Sequence, residues 1–369
     1  MRDSRLIIAH CLVLFASHLV HAGPFSFPLP NGFPFPDDAA LEELFSAAGG
    51  NFTNMPLAPK FDDDSLTSWK LQAFNEFMEV AFFTQLIANI TDRLPGFELD
   101  PRSESYVLES LKTIQAQEEM HAYNANDAVR HFTNGSHIFP CTYVFPVSDF
   151  LSAVAFAQTF TDMYIGLLTN IQQRTANGLG TDSNSIIYVL AQALGQEGQQ
   201  SGWFRSLQAK PPSAEPFLTS STRDFAFSWL QRFIVPGSCP NLGDISLQIF
   251  PPLDVEGKVV GTGPVILIVP GSVDPESQAV AFVNGALVPT VVPLNVTSTS
   301  GCGVTRNDLS GLSGCNRGIT TAITADFPYA QNVMHGLTLA AVVKKGPTFI
   351  TAEDVADATI YGPAVIEVQ

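Results

Sequence analysis

The sequence predicts an α+β, multidomain chain: a bundle of four long helices with a short fifth, followed by a small C-terminal all-β domain of sandwich type. Three observations predict it. From residue 66 to about 235, long helical stretches are separated by turn chemistry at DRLPGFELDP, NGSHIFPCTYVFP and ANGLGTDSNS. After Pro236 that pattern stops, and β-branched runs (VILIV, AVAFV, VPTVVPLNV, TLAAVV, AVIEV) alternate with Gly/Pro-rich turns. Each long helix also carries a polar or ionisable side chain inside an otherwise apolar stripe, as a bundle with a polar centre would.

Taken in order, the chain opens MRDSRLIIAHCLVLFASHLVHAG, where Arg2 and Arg5 precede an apolar run and Val20 and Ala22 supply the small residues of a cleavage site. Residues 1–22 are expected to be a signal peptide, which makes the mature protein secreted, extracellular or in the cell wall, with no membrane span. Residues 23–65 (GPFSFPLPNGFPFPDD at their start) read as a Phe/Pro-rich irregular arm. Helices are expected at 66–92, 101–132, 148–175 and 183–209, with the fifth at 221–234. The helical domain then runs over 66–239 and the β-rich domain over 240–369.

Composition excludes some functions. A formal charge of -17 leaves nucleic acid without an electrostatic footprint. No His-Glu-x-x-His helix, Gly-x-Ser-x-Gly elbow or phosphate-binding loop occurs. With Cys11 in the leader, Cys141, Cys239, Cys302 and Cys315 form an even set suited to disulfides in an oxidising compartment. Sequence proximity favours Cys302 with Cys315 in GCGVTRNDLSGLSGC, which leaves Cys141 with Cys239. Sequons at Asn51, Asn89, Asn134 and Asn295 are usable for glycosylation in a secreted chain.

The helix faces carry the chemistry. In the second long helix Val107, Leu111, Ile114, Glu118, His121, Ala122, Ala125, Val129 and Phe132 share one stripe, with Glu109 and Glu119 off it. In the fourth, Ile186, Leu190, Ala193, Glu197, Gln200, Ser201 and Phe204 align in the same way. Glu79 shares its face with Phe82, Phe83 and Leu86, and Glu76 lies at that face's edge. In the third helix Gln158 and Asp162 sit among Leu151, Val154, Ala155 and Ile165. Burying an unpaired carboxylate costs several kcal/mol. A metal ion compensates, and Glu118-x-x-His121 has the spacing that carboxylate-bridged metal bundles use, while Glu197-x-x-Gln200 keeps it with the imidazole replaced. Phe83, Tyr123, Tyr164 and Phe204 read as core packing.

The segments LQAFNEFMEVAFF, AQEEMHAY, FLSAVAFAQTFTDMYIG and GQEGQQSGWFR, in that order, resemble the ferritin-like domain of secreted fungal proteins named for late sexual development or stress response. Plant desiccation-related proteins are a more distant likeness. The resemblance covers roughly residues 66–235 and implies a ferritin-like fold with a di-iron or di-manganese site. Carried over residue by residue, Glu79 or Glu76 takes the first-helix carboxylate, Glu118 and His121 the second-helix pair, and Glu197 the fourth-helix carboxylate. The third helix shows Gln158 or Ala157 where the pattern has Glu, with Asp162 one turn on as a substitute, and the fourth shows Gln200 where it has His. Three states stay open: a dinuclear iron or manganese centre, a single hard cation such as manganese or calcium, and a metal-free hydrogen-bonded network.

Two functions follow from this reading. One is a secreted metal-dependent oxidoreductase acting on dioxygen or peroxide. The other is a non-catalytic extracellular or cell-wall protein of stress response or development, whose C-terminal domain contacts a wall polymer or another protein. Iron storage is a third, against which the appended β domain and the four sequons stand, since a cage needs compact bundles to self-assemble.

Overall fold

The structure, a computed structural model, describes residues 23–56, 58–300, 319–346 and 348–368. The expected signal peptide and the expected Cys302–Cys315 pair lie outside those residues.

An N-terminal helix α1 (Asp38–Ala48) precedes the four long helices α2 (Asp63–Thr91), α3 (Pro101–Phe132), α4 (Phe150–Leu179) and α5 (Asn184–Leu207), and the short α6 (Arg223–Leu230) follows them. The long helices begin where the sequence supplies caps. The Asp62 side chain accepts from the Ser65 amide at 2.7 Å, Asp100 precedes Pro101 at the first helical position, and Asp149 and Ser152 form a reciprocal capping box. α2 and α3 form one hairpin and α4 and α5 another, with α2 packed on α4. Between Leu71 and Phe83 every residue of α2 is buried, because α2 lies at the centre of the helical layer. A window within the α4–α5 region is apolar enough to pass for a bilayer span, and 72% of it is buried inside the protein.

The arm is more structured than its Pro/Phe-rich composition suggests. Within it DAALEELFSAA lacks both Pro and Gly, and it forms α1 between the Asp37 cap and left-handed Gly49, with Leu44 and Ala48 packed on Ala116 of α3. Phe25 exchanges backbone hydrogen bonds with Tyr143, and Phe33 is fully buried against Phe77. Asn31 donates to Glu119 at 2.8 Å, so Glu119, off the bundle stripe, is nonetheless buried by the arm and pushed up to about 7 by that burial. Leu151, placed in the stripe by its periodicity, is exposed at the start of α4.

Cys141 and Cys239 are bonded to each other, tying the α3–α4 connection to the segment after α6. Among the sequons, Asn51, Asn134 and Asn295 are exposed, but Asn89 is 5% exposed within α2. Helical packing therefore removes Asn89 from the surface acceptors.

Among the described residues eight antiparallel strands follow: β1 (Asp254–Glu256), β2 (Gly263–Val269), β3 (Gln278–Asn284), β4 (Thr290–Val292), β5 (Leu294–Ser300), β6 (Thr320–Phe327), β7 (Gly336–Lys344) and β8 (Thr359–Val368). They form two sheets, ordered β1-β2-β6-β5 and β4-β3-β7-β8. The sandwich core is built from Leu267, Val280, Phe282, Ile323, Val342 and their neighbours. The opposite face of β3 and β7, through Ala279, Ala281, Val283, Leu339, Ala341 and Val343, belongs to the core of the helices. One sheet is thus covered on both faces, which explains why AVAFV and TLAAVV are continuously apolar rather than alternating.

Polar groups complete this junction. Arg174 of α4 reaches Asp64 at 2.6 Å and Glu353 at 3.1 Å, the latter in a short helix α8 (Ala352–Asp357) that follows α7 (Tyr329–Asn332). Gln158 donates to Glu367 of β8 at 3.3 Å and accepts from Lys210 at 2.8 Å. Burial, reinforced by Asp162, pushes the Glu367 carboxyl up to about 8. A carboxyl held above its free value stabilises the fold fully below the usual carboxyl range, and that contribution is lost as pH rises through about 8. Between pH 5 and 9 the wild type should therefore lose roughly 3 °C more in melting temperature than Glu367→Gln. Circular dichroism melts at each pH check this, and parallel curves would contradict it.

Candidate metal centre

Helical spacing brings the ionisable groups together. Glu118 and His121 are one turn apart on α3, and the His121 Nδ1 lies 2.9 Å from Glu118 Oε2, 3.5 Å from Glu197 Oε1 of α5 and 3.8 Å from Glu76 Oε2 of α2. One donor atom from each of these four residues lies within 4.8 Å of all the others. That spread suits donors around a single cation, since metal–oxygen and metal–nitrogen bonds are about 2.0–2.2 Å long. The three carboxylates are buried, whereas the His121 side chain is 23% exposed.

Glu79, one turn along α2 from Glu76, borders the cluster. Its Oε1 accepts from Asn75 at 2.6 Å, and its Oε2 has no partner. Glu76 Oε2 and both oxygens of Glu197 are likewise buried without a hydrogen bond. Native proteins rarely leave such groups unpaired, and a set of orphaned carboxylate oxygens facing one imidazole is what removal of a cation would leave. The donor chemistry, carboxylate with imidazole, fits iron, manganese or another hard to borderline ion.

Electrostatics carries the same message. Burial, then mutual repulsion, pushes Glu79 and Glu197 well above the usual carboxylate range; Glu76 is pushed the same way, with His121 opposing the shift. Burial alone would lower His121, but the adjoining Glu118, with Glu76 and Glu79, outweighs it and raises the imidazole to about 9. Without a metal, protons must therefore neutralise a site that a cation would neutralise in their place.

The other expected ligands are distributed differently. Gln200 is in the cluster as a hydrogen-bond donor to Glu118 Oε1. Gln158 and Asp162 are not. Asp162 accepts from Ser201 at 2.6 Å and from Gln158 at 3.2 Å, and both belong to the junction with β8. The residue that α4 points at the centre is Tyr164, two positions and thus about 200° around the helix from Asp162. Its hydroxyl donates to Glu76 Oε1, so Tyr164 is a member of the site rather than packing alone. Helical period alone did not reveal Asn75 and Tyr164, because each takes its role from its partner: Asn75 holds Glu79 Oε1 and Tyr164 holds Glu76 Oε1.

These hydrogen bonds have a directional effect. Tyr164 occupies Glu76 Oε1 and Gln200 occupies Glu118 Oε1, so each carboxylate turns its second oxygen toward His121. In chelator at pH 8, Glu197→Gln should melt about 3 °C above the wild type, because it deletes a buried acid that accepts no hydrogen bond. The same variant should lose the increase that added Mn(II) or Fe(II) gives the wild type. A metal-free variant that melts several degrees lower would contradict the picture of uncompensated charge.

Comparison with known proteins agrees with the geometry in one respect and is silent in another. No curated protein matches the chain. A family profile described as a ferritin-like domain matches residues 71–210, from the third turn of α2 to just past the end of α5, and so takes in Glu76, Glu118, His121 and Glu197. The helical part of this protein is a ferritin-like domain, followed by an all-β region of two antiparallel sheets.

Proposed function

We propose that this is a secreted, metal-dependent oxidoreductase of stress response or development, with iron or manganese held in its ferritin-like bundle. The observation that carries the reading is the convergence of Glu76, Glu118, His121 and Glu197 with their inward oxygens unpaired. Bound iron or manganese would supply one-electron redox chemistry toward dioxygen or peroxide.

The chain's own residues do the rest. Glu76, Glu118, Glu197 and His121 would hold the ion, with Glu79 beside them. Two divalent cations would balance the four carboxylates, and one would leave the centre negative. Tyr164 and Gln200 orient two of the carboxylates, and the stacked rings of Phe83 and Phe204 lie one turn beyond Glu79 and Gln200 on their helices. Secretion is supported by the Cys141–Cys239 disulfide, a bond that persists in oxidising compartments. The developmental role follows from the family resemblance, and a wall polymer or protein partner for the β region belongs to the non-catalytic reading.

Reconstitution of the full chain with Fe(II) or Mn(II), followed by elemental analysis, tests the proposal. The expected result is one to two ions per chain, falling at least about tenfold in Glu118→Gln, with consumption of peroxide or dioxygen that tracks the metal content. Less than about a tenth of an ion per chain would overturn it. That outcome would favour a second reading, a metal-free extracellular scaffold, which Gln200 and Tyr164 support by standing where such centres carry His and Glu.

A further inference from the structure

Asn134, in the sequon Asn134-Gly135-Ser136, is exposed on the turn that follows α3. The turn is held to the helix. Asn134 has a left-handed backbone (φ 56°), the Gly135 amide donates to the Arg130 carbonyl at 2.9 Å, and Asn126 exchanges two 2.8 Å hydrogen bonds with the Ile138 backbone. A group attached to Asn134 therefore starts from a fixed point.

That point borders a hollow of about 340 Å³, lined by Gly135 and His137 on the turn and by Phe33 and Phe35 of the arm. Phe35 is 58% exposed and Phe139 37% exposed. With His137 they make one aromatic surface: ring centroids lie 5.1 Å apart for Phe35 and His137, 6.1 Å for Phe35 and Phe139, and 4.3 Å for His137 and Phe139. Asp127 and Arg130, which also line the hollow, pair with each other at 2.5 Å, so their charges cancel.

A pyranose matches these features. Its C–H face is apolar and lies well on an aromatic ring, its hydroxyls both donate and accept, and it carries no charge. Tethering at the rim supplies an effective concentration on the order of millimolar, which populates a contact too weak to hold a free sugar. The other exposed sequons have no such partner. Beside Asn51 the Phe52 ring is already packed on Phe45 and Tyr123, and the β5 strand that carries Asn295 contains no aromatic residue.

We infer that an N-linked glycan on Asn134 folds back into this hollow, with its first N-acetylglucosamine on the ring of Phe35 and its polar edge toward Asp127 and Arg130. The modification clamps the arm to the end of the helix that carries Glu118 and His121. It rests on the secreted part of the reading above and is independent of the metal.

Melts of the chain secreted from a eukaryotic host, taken in chelator so that metal plays no part, test the clamp, with site occupancy read by glycopeptide mass spectrometry. Asn134 should be occupied. Asn134→Gln should lower the melting temperature by about 2 °C, and by less than about 0.5 °C in a Phe35→Leu background, since both changes remove one shared contact. Should Phe35→Leu fail to fold, a chain carrying Asn51→Gln and Asn295→Gln still decides: trimming its glycan to the first sugar should leave the melting temperature unchanged, and removing that sugar should lower it by about 2 °C. An unoccupied Asn134 beside an occupied Asn51 or Asn295, no loss in Asn134→Gln, or equal losses in both backgrounds would overturn the inference. A chain with no glycan at any sequon would overturn it together with the secreted reading, whereas a glycosylated chain that takes up no metal would overturn only the metal reading.

Discussion

Four glutamates in the middle of a helical bundle set the constraint that the rest of the structure answers. Each carboxylate would lose its hydration on folding, and Glu76, Glu79, Glu118 and Glu197 lose it together, close enough to repel one another. His121 offsets part of that charge, and protons or a cation must offset the remainder. Hydrogen bonds from Tyr164, Gln200 and Asn75 satisfy one oxygen of Glu76, Glu118 and Glu79 in turn, leaving the second oxygens of Glu76 and Glu79 and all of Glu197 unmatched. Such an arrangement is a poor choice for stability alone, since apolar residues of similar volume would pack there at lower cost. Its retention is intelligible if the unmatched oxygens have a ligand.

Rigidity around the centre comes from elements outside the bundle. The arm pairs with the α3–α4 connection at Tyr143, and the Cys141–Cys239 bond ties that connection to the chain beyond α6. On the far side, β3 and β7 present one face to the helices and the other to the second sheet, so the two regions share an apolar layer. Gly166 shows how close the packing is: a Cβ there would collide with the carbonyl of Thr219, whose own hydroxyl donates to the Leu337 carbonyl of β7. Ligands on α2, α3 and α5 are thus held by a scaffold larger than four helices.

Much of this was legible in the residues. The expected helix starts at 66, 101 and 148 fall within three residues of Asp63, Pro101 and Phe150, because the turn chemistry before each is local; the caps Asp62, Asp100 and Asp149 fix the boundaries the expectation left loose. Glu118, His121 and Glu197 could be placed on inward faces because helical period alone fixes the face. The sequence was less informative where a role depends on a distant partner. Tyr164 reads as packing until Glu76, 88 positions earlier, is seen to accept its hydroxyl. Gln158 and Asp162 look like ligands by face, yet Gln158 is committed to Glu367, 209 positions later, through a junction that no periodicity encodes. α1 was hidden by the surrounding prolines and phenylalanines, and the double burial of β3 was hidden by the assumption of a free-standing sandwich.

Glu76, Glu118, His121 and Glu197 together form a place for a cation. Crystals of the Mn(II)-reconstituted protein, with anomalous diffraction recorded on either side of the manganese edge, test it most directly. The expected result is a peak within bonding distance of those four side chains. Fully loaded crystals with manganese only at surface carboxylates, and a bundle centre without an anomalous peak, would contradict it.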